Sequence, residues 1–478
     1  MIEIDLTTPL SNSGSRNFCY LNSTIQSLSS LAPFKSFVQK LYSIHPNPNN
    51  NQFVFELVCL LNGQRRSAVD FYKLLSQEAS QLKGFHQNDA HEALSCILNS
   101  LDMRLSQLLP SRVNKEYIKD PLVGQQMNEL ICLTCHTSKQ NKTEFSAITL
   151  PLSMTNSSAQ SINAMLNQHF KPEIISDVRC ECCSLLAVRN KYAQQLKEVV
   201  AAHSEGSNED KIKRLINMIK VLESRITYLN PEIPLHTPHN LIVPRSESLS
   251  VPLLQKREFI NQTIPVQLPE CLTLHVNRLL GEYRLSTPVF FEQKLDLSVI
   301  QSAIRYQQLR SKRVHEAMNQ TQEQRGEQKD EDIYNMNNER TSSADEANSE
   351  VKQNEDNEKR NQWDLKQIES SRKIIDNPQL DQKGKFDEVR FNPPQKSYFS
   401  IDAIYDLKSV LCHTGRSTSG HYTAYRKQKI LSDQCDFNGQ KMIREQWWFI
   451  SDADITAVDW KTVQSNASKA YLLFYQRL

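Results

Sequence analysis

Two cysteine pairs, Cys132-Leu-Thr-Cys135 and Cys180-Glu-Cys-Cys183, are separated by 44 intervening residues. Two CxxC knuckles suit one tetrahedral Zn²⁺ site, each knuckle supplying two thiolates. No other feature restricts the chain as much, because the segment between the pairs must fold back until two separate hairpins meet. Cys182 is an alternative to Cys183 as the fourth ligand. Unpaired thiols in a ribbon that has lost its metal, or a redox pair, are the other readings. Eleven cysteines in 478 residues do not make a disulfide scaffold. A reducing compartment, the cytoplasm by default, is expected.

Hydrophobic patterning changes character around these pairs. Residues 11–123 read as helical, in short amphipathic pieces such as "FVFELVCLL" and the longer "NDAHEALSCILNSLDMRLSQLL". Leu94, Leu98, Leu101, Leu105 and Leu108 form one stripe there, and Asn88 or Asp89 suits its N-cap. Residues 124–183 alternate like strands and carry both knuckles. Residues 184–260 hold two helical stretches around "SEGSNED", an αα-hairpin. Residues 261–305 and 393–478 return to strand character, with "CLTLHVNRLL", "GHYTAYRKQ" and "AYLLFYQRL". Between them, 306–392 is Gln, Asn, Glu, Lys and Arg with sparse aliphatics, and is expected to be disordered. Helices first and strands later make an α+β chain.

A further cysteine sits near the N-terminus in "NSGSRNFCYLNSTIQSL". Cys19 lies where a polar loop becomes a helix, with Leu21, Ile25, Leu28 and Leu31 at helical spacing. A helix N-terminus favours thiolate over thiol, so Cys19 is a candidate nucleophile as well as a candidate core residue. A cysteine nucleophile needs a base within hydrogen-bond reach and a partner that orients the base. His421 follows the Gly-Ser-Thr-rich "HTGRSTSG", where Gly420 permits unusual backbone angles, and His413 lies eight positions earlier. "WWFISDADI" supplies Ser451, Asp452 and Asp454 at a strand end, where an orienting group could meet the histidine.

With these pieces in order, the chain resembles the ubiquitin-specific proteases, the papain-like cysteine deubiquitinases. "NFCYLNSTIQSL" is similar to the family's cysteine box, and "FHQNDAHEAL" to its Gln-Asp-Ala-His-Glu segment. The two cysteine groups fall where its zinc-ribbon fingers lie. "CLTLHVNRLL", "VFFEQKLDLS", "HTGRSTSGHYTAYR", "WWFISD" and "AYLLFYQR" resemble its later motifs, so the likeness runs from about Ser11 to Arg477 around two inserts. It implies a single protease domain with a helical thumb, a β-rich palm and zinc-ribbon fingers. It also implies hydrolysis of isopeptide or peptide bonds after ubiquitin's C-terminal glycine, through Cys19, His421 and an acyl-enzyme. Structural Zn²⁺ on Cys132, Cys135, Cys180 and Cys183 follows from the same likeness. Asp89 and Glu92 match acidic positions that hold basic residues of the ubiquitin tail; as helix N-terminal acids they also suit the helix dipole.

Two departures from the family pattern stand out. Asn12 is the match for the oxyanion-stabilising amide, but two extra residues separate Gly14 from Asn17, which could serve instead. Ser451 stands where most members carry Asp or Asn; a minority subgroup with Ser there includes mitochondrial-surface members. A hydroxyl accepting the Nδ1–H of His421 would fix its tautomer without supplying charge. Ser451 is expected as the direct partner, with Asp452 acting near the oxyanion or through water.

The net charge is +2 and no basic-aromatic cluster accompanies the cysteines, so nucleic acid is not an expected partner. No apolar run approaches membrane-spanning length, and "MIEIDLTTPL" has no secretory character. Attachment to an organelle surface, such as the mitochondrial outer membrane, or a nuclear location are alternatives to the cytosol. Ubiquitin and ubiquitinated proteins are the expected partners. The rival to an active enzyme is a ubiquitin-binding scaffold impaired by its altered oxyanion loop.

Overall fold

A computed structural model of the chain describes residues 8–12, 17–44, 46–47, 51–82, 88–108, 118–152, 159–201, 209–230, 254–280, 283–297, 403–416, 419–435 and 441–478. The polar segment 306–392 lies outside the described residues, as do residues 13–16 of the loop before Cys19.

Among the described residues, five α-helices open the fold: α1 (Cys19–Leu28), α2 (Ala32–Ile44), α3 (Gln52–Leu61), α4 (Val69–Glu78) and α5 (Ala90–Leu108). Their apolar stripes, among them Phe34, Phe37 and Val38 of α2 and Leu94, Leu98 and Leu101 of α5, converge on one core. The central helix α1 is buried along its whole length, although half of it is polar. Short hydroxyls make this tolerable by turning back onto carbonyls of their own helix. Ser23 Oγ donates to Cys19 O at 2.6 Å, Thr24 Oγ1 to Tyr20 O at 2.8 Å, and Ser27 Oγ to Ser23 O at 2.9 Å. Just past its C-terminus, the buried Arg426 guanidinium donates to Ser29 O at 3.1 Å, a cation placed where the helix dipole is negative. Truncating Leu28, which is fully buried here, to alanine should cost about 2–5 kcal/mol.

The cysteine pairs belong to an antiparallel sheet of β1 (Gly124–Cys132), β2 (Ser138–Phe145), β5 (Glu173–Arg179) and β6 (Lys256–Gln267), in the order β2-β1-β6-β5. Between β2 and β5 run β3 (Ile148–Pro151), β4 (Gln160–Ser161) and helix α6 (Ile162–His169). The boundary at 261 read from the sequence falls inside β6. Alternation marks a strand but does not say which sheet it joins. Helices α7 (Glu181–Ala201) and α8 (Glu209–Leu229) pair through a buried Arg189–Glu223 bridge at 2.8 Å. This pair is rooted in the cysteine cluster. α7 starts within the second knuckle, Leu222 and Ile226 of α8 pack on the thiols, and Asn230 Nδ2 donates to Cys135 O at 2.6 Å.

The larger sheet contains β7 (Cys271–Asn277), followed in the chain by the hairpin β8 (Leu279–Leu280) and β9 (Tyr283–Arg284), then β10 (Val289–Phe290) and β11 (Lys294–Asp296). It is completed by β12 (Ile404–Gly415), β13 (Gly420–Cys435), β14 (Lys441–Ser451), β15 (Asp454–Val458) and β16 (Ala470–Arg477), with helix α9 (Trp460–Ser465) before the last strand. The order is β15-β14-β13-β12-β16-β7-β3, with β11 on β12. Among the described residues, only β3 pairs parallel in this sheet. Strand β7 is buried from Cys271 to Val276, as a strand covered on both faces must be. Leu411, Tyr422, Leu472 and Phe474 join the helical core, whereas Val410, Tyr425, Leu473 and Tyr475 face a second core. The sheet is therefore the wall against which α1 is pressed. Among the described residues no helix is long and apolar enough to cross a membrane.

Candidate active site

Helix α1 carries Cys19 at its first position, buried, and packs on β12 and β13. Its sulfur accepts the backbone N–H of Tyr422, the residue after His421, so nucleophile and base candidates stand side by side. The helix start does not make Cys19 a stored thiolate. Burial pushes the thiol up and nearby Asp452 adds to this, outweighing the backbone N–H donors of Tyr422 and Tyr20.

His421 is the second residue of β13, opposite Thr414 of β12. Gly420 is needed there for space. A Cβ on it would lie 2.3 Å from Thr414 O and 2.5 Å from His413 Nε2, while the unusual backbone angle, φ +127°, belongs to Gly415. His421 Nε2 lies 2.9 Å from Ser451 Oγ. The nitrogen facing the hydroxyl is thus Nε2 and not the expected Nδ1.

Asp452 follows in the tight turn between β14 and β15, with φ +53°. Adjacent strand residues point to opposite faces, and this left-handed turn is the bend that lets both side chains approach one ring. Asp452 Oδ2 lies 4.0 Å from His421 Nε2. The same carboxylate gathers two amides: Asn12 Nδ2 at 3.0 Å and Asn22 Nδ2 at 2.8 Å. Asn12 Oδ1 accepts from Phe18 N at 2.9 Å, so the longer loop still returns this amide to the residue before Cys19. Sequence reasoning missed Asn22 as a site residue. Its signal was its spacing, three residues after Cys19 and so on the same helical face.

Asp89 caps α5: its Oδ1 accepts from His91 N at 2.8 Å and Glu92 N at 3.1 Å. Its Oδ2 accepts from Tyr422 OH at 3.0 Å and Tyr471 OH at 2.6 Å. Glu92, in the first turn of α5, is half-buried, and its carboxylate has no protein partner among the described residues. The exposed side chain of Asn17 lies before the helix without such a tie to Asp452. His413 is buried and stacks on Tyr422 with ring centroids 4.3 Å apart; burial pushes it down to about 4, so it is neutral near pH 7.

The family model for ubiquitin carboxyl-terminal hydrolase matches residues 9–475. The chain belongs to this family. Over 82 residues, 16% of this chain and 10% of the relative, it is 37% identical to ubiquitin carboxyl-terminal hydrolase 16 of Danio rerio. Ubiquitin carboxyl-terminal hydrolase 30 of Xenopus tropicalis is 33% identical over 86 residues, 18% of this chain and 15% of that relative. These local matches span only a small part of either relative. The structure of the SAGA Ubp8/Sgf11/Sus1/Sgf73 DUB module bound to ubiquitin aldehyde shares the fold, with TM-score 0.52 at 15% identity, over all of this chain and 71% of that one. Mixed helix and sheet in this arrangement is the family's fold.

Away from Cys19 and His421, Cys132, Cys135, Cys180 and Cys183 are all buried, with their sulfurs within 4.8 Å of one another. Cys132 and Cys183 are 3.8 Å apart, Cys135 and Cys180 3.5 Å. A tetrahedron of sulfurs at about 2.3 Å from a metal has edges of about 3.8 Å, so this cluster fits a metal ion. Hydrogen bonds from Cys132 and Cys180 push Cys135 down towards thiolate. Cys182 is equally buried but is not among the four converging sulfurs.

Proposed function

We propose that the chain is a deubiquitinating cysteine protease, hydrolysing isopeptide or peptide bonds after the C-terminal glycine of ubiquitin. The observation that carries this reading is the 2.9 Å contact of His421 with Ser451, on a strand whose next N–H is bonded to the Cys19 sulfur. With Nε2 turned to Ser451, Nδ1 is the base that takes the thiol proton. Since Cys19 is held as a thiol by burial, deprotonation accompanies attack on the substrate carbonyl. The thiolate adds to that carbonyl, the amine leaves with the proton from His421, and water then releases ubiquitin from the thioester.

Asn12 retains a second amide hydrogen for the developing oxyanion, and Asp452 holds that amide in place from the other side. The Asp452 carboxylate also favours the imidazolium that forms 4.0 Å away, a charge that Ser451 cannot supply. Glu92 is the carboxylate left for a basic residue of the ubiquitin tail. Zn²⁺ on Cys132, Cys135, Cys180 and Cys183 would tie the two knuckles of the fingers together and supply no step of the reaction. Cytosol is the proposed compartment. The tie from Asn12 to Phe18 N supports turnover over the scaffold alternative. Cleavage of a ubiquitin C-terminal fluorogenic amide tests this: wild-type protein should turn over, His421→Ala should not, and a wild type that binds ubiquitin without cleaving would favour the scaffold.

A further inference from the structure

Asp452 holds a backbone conformation that residues with side chains rarely adopt, with φ +53°. Such a conformation costs about 1–3 kcal/mol and persists only where the surroundings over-determine it. Asn12 and Asn22 tie its carboxylate. Its carbonyl is tied as well, since Leu10 N donates to Asp452 O at 3.2 Å. One short stretch of chain, residues 8–12, thus reaches this turn at both backbone and side chain.

That stretch is a strap laid on the helical half of the fold. Thr8 Oγ1 donates to Gly63 O at 3.1 Å and Ser11 N to Arg66 O at 2.7 Å, both just beyond α3. The Leu10 side chain is buried in the helical core, and Leu10 O accepts from Asn22 Nδ2 at 3.3 Å. The end of the strap is pinned by Gln26, whose Nε2 donates to Thr8 O at 2.6 Å. Gln26 is a buried polar residue on the helix of Cys19. Its Oε1 accepts from Arg426 Nη1 at 3.4 Å, on the strand of His421. Gln26 therefore joins the strap, the nucleophile's helix and the base's strand.

We propose that Gln26 is a positioning residue for the turn at Asp452: by pinning residues 8–12 it holds Asp452 in its left-handed conformation, and so aims both the carboxylate beside His421 and the Asn12 amide. This rests on the cysteine-protease reading, in which a displacement of about 1 Å between reacting groups can cost 100-fold in rate. Loss of the bond to Thr8 removes no reacting group, but frees the turn to relax towards an ordinary backbone angle.

The test compares Gln26→Glu, Leu10→Ala and Leu10→Pro. In Gln26→Glu the side chain keeps its size and, charged beside Arg426, cannot donate to Thr8 O. Both Leu10 variants lose the buried side chain, but only the proline also loses the N–H bonded to Asp452 O. On a ubiquitin C-terminal amide, Gln26→Glu should lower kcat about tenfold with KM within about twofold, and kcat of Leu10→Pro should lie about tenfold below that of Leu10→Ala. A second readout needs no ubiquitin. Amide hydrogen exchange across the turn, Ser451 to Asp454, should quicken at least about threefold in Gln26→Glu over wild type and in Leu10→Pro over Leu10→Ala, with buried β7 unchanged. Equal quickening of the turn and β7 would mean general destabilisation and overturn the assignment. So would wild-type kcat and an unchanged turn in Gln26→Glu. Were wild-type protein inert on ubiquitin while exchange still quickened at the turn alone, the strap's hold on Asp452 would stand and the enzymatic reading would fall.

Discussion

On the proposed reading, Ser451 and Asp452 share the role expected of a single Asp or Asn in most members of the family. Ser451 meets the ring nitrogen at 2.9 Å; Asp452 stands 4.0 Å off and spends its hydrogen bonds on Asn12 and Asn22. Ser451→Ala should lower kcat by roughly tenfold or more, the usual scale for disturbing a general base. Ser451→Asp should keep substantial activity. Asp452→Ala should cost more than loss of a distant charge, because two amides lose their anchor and Asn12 loses its aim; an oxyanion donor is worth about 2.7–4 kcal/mol in other hydrolases. Near-full activity in Ser451→Ala beside an inert Asp452→Ala would make Asp452 the orienting residue. The residue types of this site were legible from motif order. The bond from Tyr422 to Asp89, across 333 positions, was not, since a tyrosine after a histidine reads equally well as core. The left-handed turn at Asp452, φ +53°, is announced by no local pattern.

At the level of elements, the cysteine spacing leads us to expect two hairpins; the four sulfurs do converge, but only the first pair sits on a hairpin, at the end of β1 and in its following turn, while the second sits where β5 passes into α7. What the spacing could not tell is that the helical pair grows out of the second knuckle. Cys180 Sγ accepts from Cys183 N at 3.4 Å, in the manner of an N-cap, and Asn230 closes the far end on Cys135 O. Metal and helices should therefore be coupled. Elemental analysis should give about one zinc per chain, and stripping it with a chelator should reduce helical circular dichroism as well as loosen the fingers. Cys183→Ser should lose the metal, whereas Cys182→Ser should retain it. Equal loss in the two variants would put Cys182 in the ligand set.

For the whole molecule, the cleft between helices and sheet buries histidines that must stay neutral. Burial pushes both His275 and His413 down to about 4, from an ordinary 6.5. The unfolded chain then binds more protons than the fold between those values. Stability is full above about pH 6.5 and falls as pH drops towards 4, by at most about 2 kcal/mol per histidine at pH 5. Asp120 acts oppositely. Burial raises it to about 6, so its protonation returns about 1 kcal/mol over the same range and offsets only part of the loss. Urea midpoints should therefore fall from pH 7 to pH 5; a flat profile would mean these histidines are not confined as described. The central claim is that Cys19, on a buried helix pressed against the strand of His421, is the nucleophile. Its most direct test is reaction with ubiquitin carrying a C-terminal electrophile, with the modified residue located by mass spectrometry. The account predicts one covalent ubiquitin on Cys19 and none in Cys19→Ala, which should still bind ubiquitin. Labelling that persists in Cys19→Ala and maps to Cys59 or Cys96 would contradict it.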